Sequence, residues 1–138
     1  MTGRPMCAAL LAAAWLACPA VARSQVDVRP GLWEVSITGI GERKQTICLT
    51  PEMVRDMRNL TQRQDPASDC RPSQEKVSGN TRSFVVSCTR PVRYQANITV
   101  TVSGADRFAM QQDFTTEING RSQSGSLFMH YARIGECP

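Results

Sequence analysis

"FAMQQDFTTEINGRSQSGSLFMHYAR", residues 108–133, holds two alternating arms around one Asn-Gly. Asn119-Gly120 is a strong hairpin signal, because both central positions of a type I′ turn need positive φ. A two-residue turn there pairs Ile118 with Arg121. Counting outward, Phe114 then meets Gly125, Met110 meets Met129 and Phe108 meets Tyr131. Apolar meets apolar throughout, and a slip of one residue would move the whole set to the other face. The two arms therefore read as strands with one buried face.

The same period of two runs upstream. In "RYQANITVTVS" (93–103), Tyr94, Ala96, Ile98, Val100 and Val102 alternate with Arg93, Gln95, Asn97, Thr99 and Thr101. "SGAD" at 103–106 turns the chain into the next strand. In "LWEVSIT" (32–38), Trp33, Val35 and Ile37 oppose Glu34, Ser36 and Thr38. "GIGE" (39–42) is a turn, and "KQTICL" (44–49) a second strand. One helix follows. Thr50 serves as N-cap, Pro51 as N1 and Glu52 complements the positive helix start. Met53, Val54, Met57 and Leu60 then share a face. After a loop at 61–69 come "CRPSQEKV", a turn at "SGN" (78–80) and "TRSFVVSC".

This pattern predicts a mainly β fold. About seven antiparallel strands form a meander curled into a partial or closed barrel, with one short helix after the second strand. The inward face carries Trp33, Tyr94, Phe108, Phe114 and Tyr131. Arg133 continues that face, and a buried guanidinium needs a partner. These six residues are the candidate ligand-binding set. They fill a core or line a pocket, and sequence does not separate the two.

The chain has 138 residues, enough for one domain. Residues 1–22 read as a signal peptide: Arg4, an apolar run over 6–18, and "AVA" at 20–22 with cleavage after Ala22 or, second, Ser24. That run is too short to span a bilayer. Cys18 in "WLAC" loosely resembles a lipobox, but Trp15 and Pro19 spoil it, so lipid anchoring is not expected. The domain is 23–138, exported to the periplasm. It keeps four of the six cysteines, which implies two disulfides. A three-residue loop at 78–80 would pair Val77 with Thr81 and set Cys70 opposite Cys88. The pairs are then Cys70–Cys88 and Cys48–Cys137. A bulge near Pro72 would spoil that count.

"GLW" (31–33) resembles the G-x-W of lipocalin-like barrels. That resemblance implies a Trp at the closed end with a late-strand Arg stacked on it, here Trp33 and Arg133. A more specific set is "PGLWE" (30–34), "CLTPE" (48–52), Cys70, "SGN" (78–80), Cys88 and "RIGEC" (133–137). It resembles domain-of-unknown-function family 3617, small exported proteins of Gram-negative bacteria. Members often carry a Met- and Pro-rich insert between the first two strands, where this chain has only "GIGERK". The resemblance implies compartment and architecture and no activity.

Little else points to chemistry. No C-x-x-C supports redox, haem or zinc-ribbon roles. The formal charge is +4, with loose groups at Arg55, Arg58 and Arg63 and at Arg90 and Arg93; neither resembles a nucleic-acid stripe. His130, the one histidine, falls on the outer face. No calcium loop, phosphate loop or carboxylate pair is present, so no cofactor, metal or catalytic residue is expected. "NLT" (59–61) and "NIT" (97–99) fit a glycosylation sequon and read as chance matches in a bacterial chain. The expected function is non-enzymatic: binding a small apolar or amphipathic ligand or, alternatively, a protein-interaction or inhibitor module of the envelope.

Overall fold

A computed structural model describes residues 27–61 and 67–138. The signal-peptide reading, Cys18 and Arg63 lie outside them. Seven strands are formed: β1 (Gly31–Thr38), β2 (Arg43–Leu49), β3 (Arg71–Ser78), β4 (Thr81–Cys88), β5 (Arg93–Gly104), β6 (Arg107–Ile118) and β7 (Arg121–Gly135). They make one antiparallel sheet in the order β2-β1-β7-β6-β5-β4-β3. The sheet is open, with β2 and β3 as its edges, so the architecture is a partial barrel and the closed alternative is corrected.

The decisive hairpin has the register read from its turn. Ile118 pairs with Arg121, Phe114 with Gly125, Met110 with Met129 and Phe108 with Tyr131. Asn119 and Gly120 take φ 52° and 73°, as a type I′ turn requires. The inner face is a core: Trp33, Val35, Ile98, Val100, Phe108 and Met110 are each at most 2% exposed. Burial of this kind stabilises by roughly 1.5–3 kcal/mol per large side chain.

Two details differ from expectation at β3 and β4. The hairpin loop is two residues, with Ser78 paired to Thr81 rather than Val77 to Thr81. Gly79 supplies the positive φ (58°). Taken alone, this would shift the register by one and set Cys70 and Cys88 on opposite faces. A bulge reverses the shift: between Ser73↔Val85 and Lys76↔Ser83, Gln74 (φ 54°) and Glu75 both lie opposite Phe84. The Cys70–Cys88 bridge therefore forms, and Cys48–Cys137 with it.

The single helix after β2 is in fact two pieces, α1 (Pro51–Arg55) and a 3₁₀ turn η1 (Met57–Leu60). Thr50 caps α1, accepting from the Met53 N–H at 3.4 Å, with Pro51 in the first turn. Asp56 breaks the run: its backbone is extended (φ −126°, ψ 94°), and its carboxylate accepts from the Arg58 N–H to cap η1. An Asp side chain that bonds its own backbone two residues on competes with helix continuation. The hydrophobic spacing still works, because Met57 is buried while Met53, Val54 and Leu60 pack on the core.

This segment leaves one edge strand and reaches the other. Arg58 Nη1 lies 3.4 Å from Glu75 on β3, and Glu75 also meets Arg82 Nε at 3.2 Å. Arg58 is held by Asp56 at 2.7 and 2.8 Å. The β3 bulge thus aims Glu75 at a helical strap that crosses between the two edges. Among the described residues no helix is long and apolar enough to cross a membrane.

Candidate functional site

The six inward candidates separate into two groups. Trp33, Phe108 and Tyr131 stack at one end: Trp33–Phe108 centroids are 5.2 Å apart and Phe108–Tyr131 4.1 Å. Tyr94 and Phe114 stack at 6.0 Å nearer the other end. Phe108 and Phe114 are six positions apart on β6, about 20 Å at the usual strand rise. One small ligand cannot touch both groups.

Arg133 is cross-strand partner to Trp33. The guanidinium is engaged elsewhere, donating to the Pro30 carbonyl at 2.9 Å and to the Glu136 carboxylate. It lies across Gly31, where an added Cβ would come within 2.6 Å of Arg133 Nε and 2.5 Å of the Gly135 carbonyl oxygen. Gly31 also has φ 144°, so this position in "GLW" is reserved for glycine on two counts. Trp33 is fully buried against Phe108, and its indole N–H has no hydrogen-bond partner. An unmet buried donor costs about 1–3 kcal/mol, less than burial of the ring contributes. Burial also pushes the Tyr131 phenol up to about 12.

At the other end, Gln112 donates to the Tyr94 hydroxyl. The Phe114 ring covers Gly125, whose added Cβ would meet Phe114 Cζ at 2.9 Å. Asp69 accepts from the backbone N–H groups of Thr89 and Arg90 at 2.7 and 2.9 Å and from the Thr89 hydroxyl. Those bonds, the hydroxyl's foremost, hold its carboxyl well below the usual range.

Two further surfaces stand apart from the packed inner face: the outer face of β5–β7, which sequence reasoning missed, and an exposed strand edge, which the interaction-module alternative would use. Depressions of about 370 and 150 Å³ lie on the outer face of β5–β7. The first is lined by Asn97, Asp113, Thr115, Ser124 and Ser126 together with Gly125 and the candidate Phe114, the second by Thr99, Gln111, Phe128 and His130 among others. The signal was available in the outward half of each alternation, which reads as ordinary wet surface. His130 is exposed there. Among the described residues no group of three or more His, Cys, Asp or Glu could hold a metal.

The second surface is the free edge of β2. The two sheet edges are unlike. β3 carries Pro72, the bulge at Gln74–Glu75 and the strap contact through Glu75. β2 has seven residues with no proline and an unbroken register against β1, and Arg43 to Thr46 are all exposed.

No curated protein and no solved structure matches the chain. The family model described as "Protein of unknown function (DUF3617)" matches residues 28–137, which takes in both disulfides, the G-x-W strand and the terminal "RIGEC". The chain belongs to that family.

Proposed function

We propose that the chain is a non-catalytic interaction module of the bacterial periplasm, which adds an extended segment of another envelope protein to the free edge of β2. The observation that carries this reading is the contrast between the edges. Exposed edge strands invite pairing, and proteins blunt them with prolines, bulges, covering elements or charged side chains. β3 has the proline and the bulge, with Glu75 tied to the strap by an ion pair, whereas β2 has neither proline nor bulge and is marked only by the charges of Arg43 and Lys44. Strand addition draws affinity from main-chain hydrogen bonds and specificity from alternate side chains. Lys44 pairs with Glu34 at 3.3 Å, but Arg43 makes no ion pair among the described residues and favours an acidic residue in the incoming strand.

The two disulfides, which belong to oxidising compartments, and the signal-like segment at 1–22 support the location. The packed inner face gives no support to a small ligand held inside the sheet, because such a molecule would have to displace Trp33, Ile98 or Phe108. A photo-crosslinking residue at Gln45, in the full chain exported by its own host, tests the reading. One dominant adduct is expected from Gln45 and none from the same probe at Ser73 on β3. Equal labelling from both edges, or none from Gln45, would sink it.

A further inference from the structure

Surfaces of soluble domains usually interleave charges of both signs. The outer face of β5–β7 departs from this. Outward positions within Gln95–Thr101, Ala109–Thr115 and Ser124–His130 include no Lys or Arg, and Asp113 is their one acid. Charge sits at the rim, with Arg93 and Glu117 paired at 3.4 Å beyond one end and Arg107 beyond the other. The face that remains offers hydroxyls, amides, one carboxylate and the rings of Phe128 and His130.

Its centre is organised by cross-strand register. Asn97, Asp113 and Ser126 form one row, and Thr99, Gln111 and Phe128 the next. Asp113 Oδ1 accepts from Ser126 Oγ at 2.5 Å and Oδ2 from Gln111 Nε2 at 3.0 Å, which fixes the carboxylate while each oxygen keeps further acceptor capacity. Asn97 makes no side-chain hydrogen bond among the described residues, so its amide offers both donors and an acceptor. Phe128 is 41% exposed and lies diagonal to Asp113. Such diagonal neighbours are about 7–8 Å apart along the backbone, close enough for adjoining rings of one saccharide chain to meet both.

The chemistry narrows the occupant. An anion would meet a carboxylate and no Lys or Arg. An apolar molecule would desolvate hydroxyls and amides without replacing their hydrogen bonds. A neutral polyol fits, since each hydroxyl both donates and accepts and the C–H face of a sugar ring packs on an aromatic. We propose that this face binds a neutral saccharide chain, with Asn97 and Asp113 holding ring hydroxyls and Phe128 stacking beneath the adjoining ring. The site is separate from the β2 edge and stands or falls without it.

Isotope-labelled protein, with both disulfides intact, titrated with chitotetraose and with cellotetraose tests this by NMR. Shifts confined to the outer rows of β5–β7 are expected with at least one sugar. Phe128→Ala and Asn97→Ala should each weaken binding about tenfold, near 1.4 kcal/mol. Gln111→Lys, which installs the missing cation at an exposed position, should weaken it as well. The chain carrying the crosslinking residue at Gln45 should bind the sugar with unchanged affinity, so loss of edge crosslinking and loss of sugar binding are read independently. No shift at this face with either tetrasaccharide would overturn the proposal. So would affinity that ignores both Phe128→Ala and Asn97→Ala, or an anionic tetrasaccharide or an acidic peptide binding there more tightly than the neutral sugars.

Discussion

The two ends of the sheet are built from similar parts to different standards of closure. At one end, Trp33, Phe108 and Tyr131 stack in the core, Arg133 ties Pro30 to Glu136, and Cys48–Cys137 joins β2 to the C-terminus. At the other, Tyr94 and Phe114 stack while half-exposed, and Cys70–Cys88 joins two neighbouring strands. Here the β6–β7 hairpin also outruns its support. β1 ends opposite Phe128, so Arg121–Leu127 pairs with β6 alone. Local stability follows buried contacts and pairing, so the first end should open only with the whole domain and the second by itself.

The disulfides give the largest test. Their sequence separations are 89 and 18 residues. Chain-entropy arguments assign roughly 4.5 kcal/mol to the longer loop and roughly 3 kcal/mol to the shorter. Replacing Cys48 and Cys137 by Ala should therefore lower stability more than replacing Cys70 and Cys88, as read by denaturant midpoints at unchanged slope. Equal losses would mean that the ends do not differ in this way.

The aromatic groups give the next contrast. Trp33→Ala should cost about 3–5 kcal/mol, as truncations of large buried side chains do. Phe114→Ala, at a half-buried site, should cost roughly half as much. Trp33→Phe separates packing from hydrogen bonding, because it keeps a ring and removes the orphaned N–H. It should cost well under half of Trp33→Ala by the same denaturant measurement. A Phe114→Ala loss matching that of Trp33→Ala would break the comparison.

Legibility in the sequence followed the same division. Strand faces and the β6–β7 register were readable because one dipeptide fixed the turn and the apolar pairs agreed with it. Helix termination was not, since Asp56 sits within a good helical stripe and acts through its own backbone bonds. The β3–β4 register shows two departures that cancel: a shorter loop and a compensating bulge, so the disulfide followed although the loop did not. Pro72 marked the bulge, but nothing local to it revealed its size. The inward candidate set was placed on the right face, yet its division into two distant groups depends on strand length rather than periodicity. The outer depressions escaped because uncharged polar alternation is what any wet strand offers. Only pairing in three dimensions shows that the same neutrality continues across neighbouring strands.

The smallest effects are those of pH, and they assign one limit to each end. Burial raises the Tyr131 phenol to about 12, from an ordinary value near 10. The protonated phenol is neutral, so between those values the folded state holds a proton that the unfolded state has released. Stability is then complete below about pH 10 and falls as pH rises toward 12. Asp69 behaves in the opposite sense. Its folded carboxyl is held low first by the Thr89 hydroxyl and then by the Arg90 and Thr89 N–H groups. Its contribution is full above the unfolded value near 3.9 and is lost as pH falls below it. Asp56, held low chiefly by Arg58, adds to the acid limb. Denaturant midpoints across the pH range should therefore fall at both extremes. Tyr131→Phe should flatten the alkaline limb alone, and Asp69→Asn should blunt the acid limb alone. If Asp69→Asn leaves the acid limb as steep as before, the strap's Asp56–Arg58 pair is the acid-sensitive element, and the acid limit moves from the open end to the bridge between the sheet's edges.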